Sequence, residues 1–140
     1  MDLNTDQGKL RIGQTFLQGL SKREGNLLRS ILHSEVVWSM PGDSLLSGLA
    51  RGVEAVIERA ELIVDYGMQF ELRHIQLGRD GVALSLHNTA RRGNLVFDEE
   101  LVTVLRLHVG SVIAIDTYMS DVAMVDAFFV PFSPTDTRSI

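Results

Sequence analysis

Apolar positions along this chain change period about halfway. In the first half they recur at helical spacing. Ile12, Phe16 and Leu20 fall every four residues, with Gly13 and Leu17 beside them, which predicts an amphipathic helix over 9–21. Gly25 ends that segment, and Asn26 is placed to cap a second helix over 26–33 through Leu27, Leu28, Ile31 and Leu32. Val36-Val37-Trp38 reads as a short strand, 35–39. Pro41 stops it, because proline has no N–H for a ladder and holds Met40 extended. A third helix, 52–66, carries Val53, Val56, Ile57, Ala60, Ile63 and Val64 on one stripe, with Glu54, Glu58, Arg59 and Glu61 opposite or flanking it.

After Gly67 the helical period is lost. Stretches 69–79, 82–91, 96–109 and 112–120 are rich in Leu, Val, Ile and aromatic residues. The turn signals Arg79-Asp80-Gly81, Arg92-Gly93-Asn94 and His108-Val109-Gly110-Ser111 separate them. Long strands joined by short turns predict an antiparallel meander. A closing helical turn over 122–129 follows Ser120-Asp121, with Asp121 as its cap. Residues 1–8 are polar and expected to fray, 9–130 form one domain, and 131–140 an extended tail. Helices first and a curled sheet afterwards is the α+β pattern, with room between the layers for a small apolar molecule.

Composition narrows the chemistry. The chain has 140 residues, enough for one domain with a real core. Its net charge of −5 and lack of a basic cluster argue against nucleic acid or an anionic membrane as the main partner. With no cysteine, thiol catalysis, disulfides and cysteine-held metals are excluded. The four histidines are too scattered for metal-ligand spacing, so no metal is expected. "ARRGN" is a hairpin turn rather than a phosphate loop, since it lacks the glycines and the following helix. The opening MDLNTDQGKL has no apolar leader core, and the cytoplasm is the expected compartment.

Several stretches, in order, resemble a known superfamily: "EGN" after the opening helix, "SEVVWSMPG", "LSGLARGVEAV", "HNTARRGN", "HVGSVIAIDTYMSD" and the closing "DAFF". Together they are similar to the SnoaL-like (polyketide cyclase-like) branch of the nuclear transport factor 2-like proteins. The resemblance implies an α+β cone, with three helices packed in a bent antiparallel sheet around an internal pocket. It also implies a homodimer through the outer sheet face. It does not fix a reaction, because the same cone hosts isomerases, cyclases, epoxide hydrolases and binders. Steroid isomerases of the superfamily carry an Asp just before the strand-1 proline, where this chain has Met40, and a Tyr in helix 1, where it has Phe16 or Leu17. Limonene-type epoxide hydrolases use an Arg and two Asp, where approximate alignment offers His87, Thr89 and Tyr118. Neither reaction carries over.

Strand alternation then nominates site residues. By analogy with the family, Val112, Ala114, Asp116, Tyr118 and Ser120 are assigned to the pocket face, together with Ala83, Ser85, His87, Thr89 and Arg91. Ile113, Ile115, Thr117 and Met119 are left for an outer, dimer-forming face. His87 becomes the candidate acid/base, Asp116 a second titrating group and Tyr118 a donor to an enolate oxygen. The alternatives are a strand histidine bonded to a neighbour, an outward aspartate in an ion pair, and a tyrosine filling half-buried sheet surface. Phe16, Trp38, Met40, Val56, Ala60 and His74 are nominated as ligand-contacting walls. The expected function is acid/base cyclisation or isomerisation of a small apolar carbonyl compound without a cofactor. The rival is a non-catalytic binding or dimerisation module of the same fold.

Overall fold

The computed structural model describes residues 5–132. Helix α1 spans Asp6–Ser21, starting earlier than its apolar stripe because the Thr5 side chain caps it, accepting from the Gly8 N–H at 3.0 Å. Its buried face is Ile12, Phe16 and Leu20. Helix α2 is Gly25–Ile31, with Glu24 rather than Asn26 at its N-cap position. Strand β1 is Leu32–Met40, so the second helix stops short of 33 and the strand is longer than the apolar triplet suggested. A short β2, Gly48–Arg51, was not expected; it pairs antiparallel with β1. Helix α3, Val53–Asp65, buries Val56, Ile57, Ala60 and Ile63.

The meander follows as β3 Gln69–Leu77, β4 Gly81–Arg92, β5 Leu95–His108 and β6 Ser111–Met119, each antiparallel to the next. Helix α4, Val122–Phe128, has Asp121 at its N-cap, accepting from the Met124 N–H at 3.1 Å. The strand order is β2-β1-β6-β5-β4-β3, and β1 runs parallel to β6. The sheet is therefore mixed, not wholly antiparallel: helix α3, β2 and the meander intervene before β6, and the chain returns to β1 in the same direction. Register breaks at Leu32/Val37, Leu72/His74 and Arg106/Leu107 bend the sheet around the helices. This is an open α+β cone.

Three buried cations hold the layers. Lys9, 6% exposed, donates from Nζ to the carbonyls of Gly78 and Arg79, both at 2.8 Å, which ties α1 to the β3–β4 turn. The Arg59 guanidinium on α3 donates to the Trp38 carbonyl at 2.7 Å and the Gly48 carbonyl at 3.1 Å. At the far end Arg92 donates to the Phe128 and Val130 carbonyls at 3.0 and 3.1 Å. It lies 4.5 Å from the Tyr66 ring centroid and 4.7 Å from that of Phe132, so an aromatic cluster closes that end of the cone.

Candidate functional site

The side chains that face the helices belong to the opposite alternation from the one expected. On β6, Ile115 is fully buried and Thr117 nearly so, while Tyr118 is 63% exposed. On β4, Val82, Leu84, Leu86, Asn88 and Ala90 point inward. His87, Asp116 and Tyr118 consequently stand on the outer face, and their assignment to the cavity is corrected. Ile115 belongs to the core, half-buried Met119 lines the internal chamber as well as bordering the outer grooves beside Tyr118, and Ile113 is half-buried beside the Arg106/Leu107 register break, so the four do not form one outer apolar face. The cause is a one-residue choice of phase, which exchanges side chains between faces along β4 and in β6 beyond the Arg106/Leu107 bulge; Val112, before that bulge, is fully buried as expected.

His87 on the outer face sits in an ionic cluster. Its Nε2 is 2.6 Å from Asp98 Oδ1, and its Nδ1 is 3.3 Å from both Glu71 Oε1 and Arg73 Nη2. Arg73 also reaches Glu100 at 3.1 Å. Hydrogen bonds to Asp98 and then Glu71 raise the imidazole above its ordinary 6.5. His74 also faces outward, in a broad groove with Arg73, Glu100 and Tyr118. It is not a cavity wall. Val56 and Ala60 are core residues away from the chamber, and Phe16 touches it only indirectly, edge-on to Trp38 at 5.9 Å. Trp38 and Met40 do line it.

The chamber itself lies between the sheet and the helices, bounded by Trp38, Met40, Met68, Asn88, Thr103 and Thr117 among others. Its volume is about 20 Å³, enough for one water molecule. Trp38 Nε1 donates to Thr117 Oγ1 at 3.0 Å, and Thr117 and Thr103 hydroxyls share a bond at 3.2 Å. Asn88 is 6% exposed, and its Oδ1 has no hydrogen-bond partner.

Directly opposite Asn88 in the β4–β5 register is Glu99, 2% exposed. Its Oε1 accepts from the Asp121 N–H at 2.9 Å and the Ser120 hydroxyl at 3.2 Å. Its Oε2 has no partner. Burial raises this carboxyl above its ordinary 4.5, and the two hydrogen bonds oppose that only in part. A buried carboxyl with one oxygen anchored and the other free can give or take a proton. Sequence reading missed both residues, although each was in phase with its apolar neighbours: Asn88 with Leu84 and Leu86, Glu99 with Phe97 and Leu101. Among the described residues no group of three His, Asp or Glu side chains could hold a metal, and no helix is long and apolar enough to cross a membrane.

No family model matches the chain, and no curated protein sequence does. Solved structures do. Bal32a, from a soil-derived mobile gene cassette, superposes with a TM-score of 0.77 at 23% identity, covering 86% of this chain and 98% of that one. A nuclear transport factor 2-like protein of Burkholderia xenovorans LB400 gives 0.76 at 18% identity, covering 90% and 98%. TerC, crystallised with polyporic acid, gives 0.70 at 16% identity, covering 86% and 97%. The chain thus has the nuclear transport factor 2-like fold, the architecture shared with SnoaL-like proteins.

Proposed function

We propose that this protein is an acid/base enzyme acting on a small apolar carbonyl compound in the cone chamber, by cyclisation or isomerisation through an enolate. Glu99 replaces His87 as the proton-transferring group. The observation that supports it most is the buried Glu99 carboxyl with its unpartnered Oε2, on the residue paired in register with Asn88, whose side chain lines the chamber and also keeps an unpartnered Oδ1. In this reading the carbonyl oxygen of the substrate accepts from the Thr103–Thr117 hydroxyls, while Glu99 removes an α-proton and returns it at another carbon. No cofactor is called for. The fold relative that was crystallised with polyporic acid lends support to an organic ligand, though not to any one reaction.

Deuterium exchange at the saturated carbon next to the carbonyl of 2-cyclohexenone in heavy water, followed by NMR, tests this. Glu99→Gln should slow exchange by about a hundredfold or more, the usual worth of a general base. Wild-type exchange no faster than that of the variant would end the catalytic reading. The rival, a binding or dimerisation module without turnover, draws on the absence of the isomerase Asp before Pro41.

Assembly completes the proposal. A homodimer through the outer face is supported by the exposed Tyr118, which stands between two grooves of that face with Val102 at the edge of one and Val122 of the other. Light scattering should give twice 15.5 kDa, and Tyr118→Glu should return the monomer. A wild-type monomer at micromolar concentration would remove the dimer.

A further inference from the structure

We infer that the chamber is an expandable site for a single ring bearing a hydroxyl or carbonyl group, opened by repacking of its methionine walls. This deepens the proposed function, since it names the ligand class of the same cavity, but it is a statement about binding and not about turnover.

The polar half of the inference comes from counting hydrogens. Trp38 Nε1 already occupies Thr117 Oγ1, and the two threonine hydroxyls share one bond. Two hydroxyl hydrogens and one shared bond leave one O–H uncommitted, whichever threonine is the donor. Both threonines line the chamber. On β4, the Asn88 Oδ1 is a buried acceptor with nothing to accept from. A half-turn of the amide would present its N–H groups instead. The cavity therefore holds a spare donor and an adaptable amide in an otherwise apolar, aromatic wall that includes Trp38, Phe70, Phe97 and Phe129. An unpaired buried polar group is costly, so the site favours an occupant that pairs it over a hydrocarbon of the same shape.

The size of the occupant follows from the walls. At about 20 Å³ the chamber is closed to any ring, whereas a cavity that takes benzene is on the order of 150 Å³. Met40, Met68 and Met119 are three of the chain's five methionines, and all three line this one space. Methionine has three rotatable bonds and a polarisable sulfur, which makes it the side chain best able to change shape at small cost. Leu46, on the other side, is carried by a loop rather than a strand, and that loop is held to α4 by the Asp43 N–H donating to Asp126 Oδ1 at 2.8 Å. These walls can retreat to admit one ring. The Arg92 and Tyr66 cluster closes the space behind Phe129.

Phenol and benzene are the probe pair, and the chain carries its own reporters. Trp38 is the only tryptophan, and ¹³C-methyl labels on the methionines resolve the walls. Phenol should change Trp38 fluorescence and shift the Met40, Met68 and Met119 methyls. Its Kd should lie about tenfold or more below that of benzene. Asn88→Leu, which keeps the volume and removes the amide, should bring the two probes to within about twofold. Equal affinity of phenol and benzene for the wild type would overturn the inference. So would saturating phenol that leaves all three methyls in place, or an ordered water on Asn88 that phenol does not displace. Ring-selective binding without α-proton exchange would keep this inference while removing the catalytic reading. Exchange activity without ring selectivity would do the reverse.

Discussion

The two faces of strands β4, β5 and β6 treat charge in opposite ways. On the outer face His87, Glu71, Arg73, Asp98 and Glu100 are all paired with one another, and all are at least partly wet. On the inner face Asn88 and Glu99 are almost completely buried, yet each keeps a polar atom without a partner. An exposed ion pair gains little, because water screens it and holding two long side chains costs entropy. An unpaired polar atom in a dry interior carries its full desolvation cost. The crowded cluster catches the eye, but the lonely pair is the more informative.

The largest effect that would sharpen this contrast is expected at Trp38. Trp38→Ala removes a ring that is 2% exposed and leaves Thr117 without its donor. Chemical denaturation should show a loss of about 3–5 kcal/mol. A loss under about 1 kcal/mol would mean that the chamber wall is far looser than its packing indicates.

Glu99→Gln should come next, and its sign should change with pH. The native carboxyl binds its proton more tightly than the unfolded one, so wild-type stability is greatest below the ordinary 4.5 and falls as pH rises through the raised native value. The amide cannot ionise, and its oxygen can still accept from Asp121 N–H and Ser120. At neutral pH the variant should be more stable than wild type by about 1 kcal/mol or more, with a flatter pH profile through the acid limb. A parallel pair of profiles would place Glu99 in contact with solvent.

The smallest effect belongs to His87. Its pKa is raised by Asp98 and Glu71, so its contribution to stability is complete below 6.5 and disappears as pH climbs through the native value. His87→Ala should lower the urea midpoint slightly at about pH 5.5 and leave it unchanged at about pH 9. If His87→Ala outweighed Glu99→Gln at neutral pH, the two faces would have to exchange roles.

The fold was legible because its signals are periodic and redundant. Ile12, Phe16 and Leu20 mark α1, Val56, Ile57, Ala60 and Ile63 mark α3, and each of the turns at 79–81, 92–94 and 108–111 interrupts an apolar stretch. The parallel β1–β6 pairing was not legible, since nothing local in Val36-Val37-Trp38 records which distant strand it meets. The site was lost to phase. Asp116, Tyr118 and His87 were attractive for their chemistry, but Val82, Leu84 and Leu86 share a face with Asn88, as Phe97, Leu101 and Leu105 do with Glu99. Asking which polar residue keeps step with the apolar ones would have found the inner pair.

The parallel junction of β1 with β6 also sets an order of events in folding. Trp38 and Thr117 are 79 residues apart, whereas β3, β4, β5 and β6 are each joined to the next by a tight turn. Loop-closure entropy favours the hairpins first and penalises contacts across so long a span. During synthesis, which proceeds from the N-terminus, β1 and β2 emerge early but lack their neighbour until β6 has left the ribosome. For that interval β1 presents an unpaired edge with Val36, Val37 and Trp38 in sequence, an opening for pairing with another chain. The indole of Trp38 reports the end of the interval, since its Nε1 gains Thr117 as a partner only when the last strand of the sheet arrives.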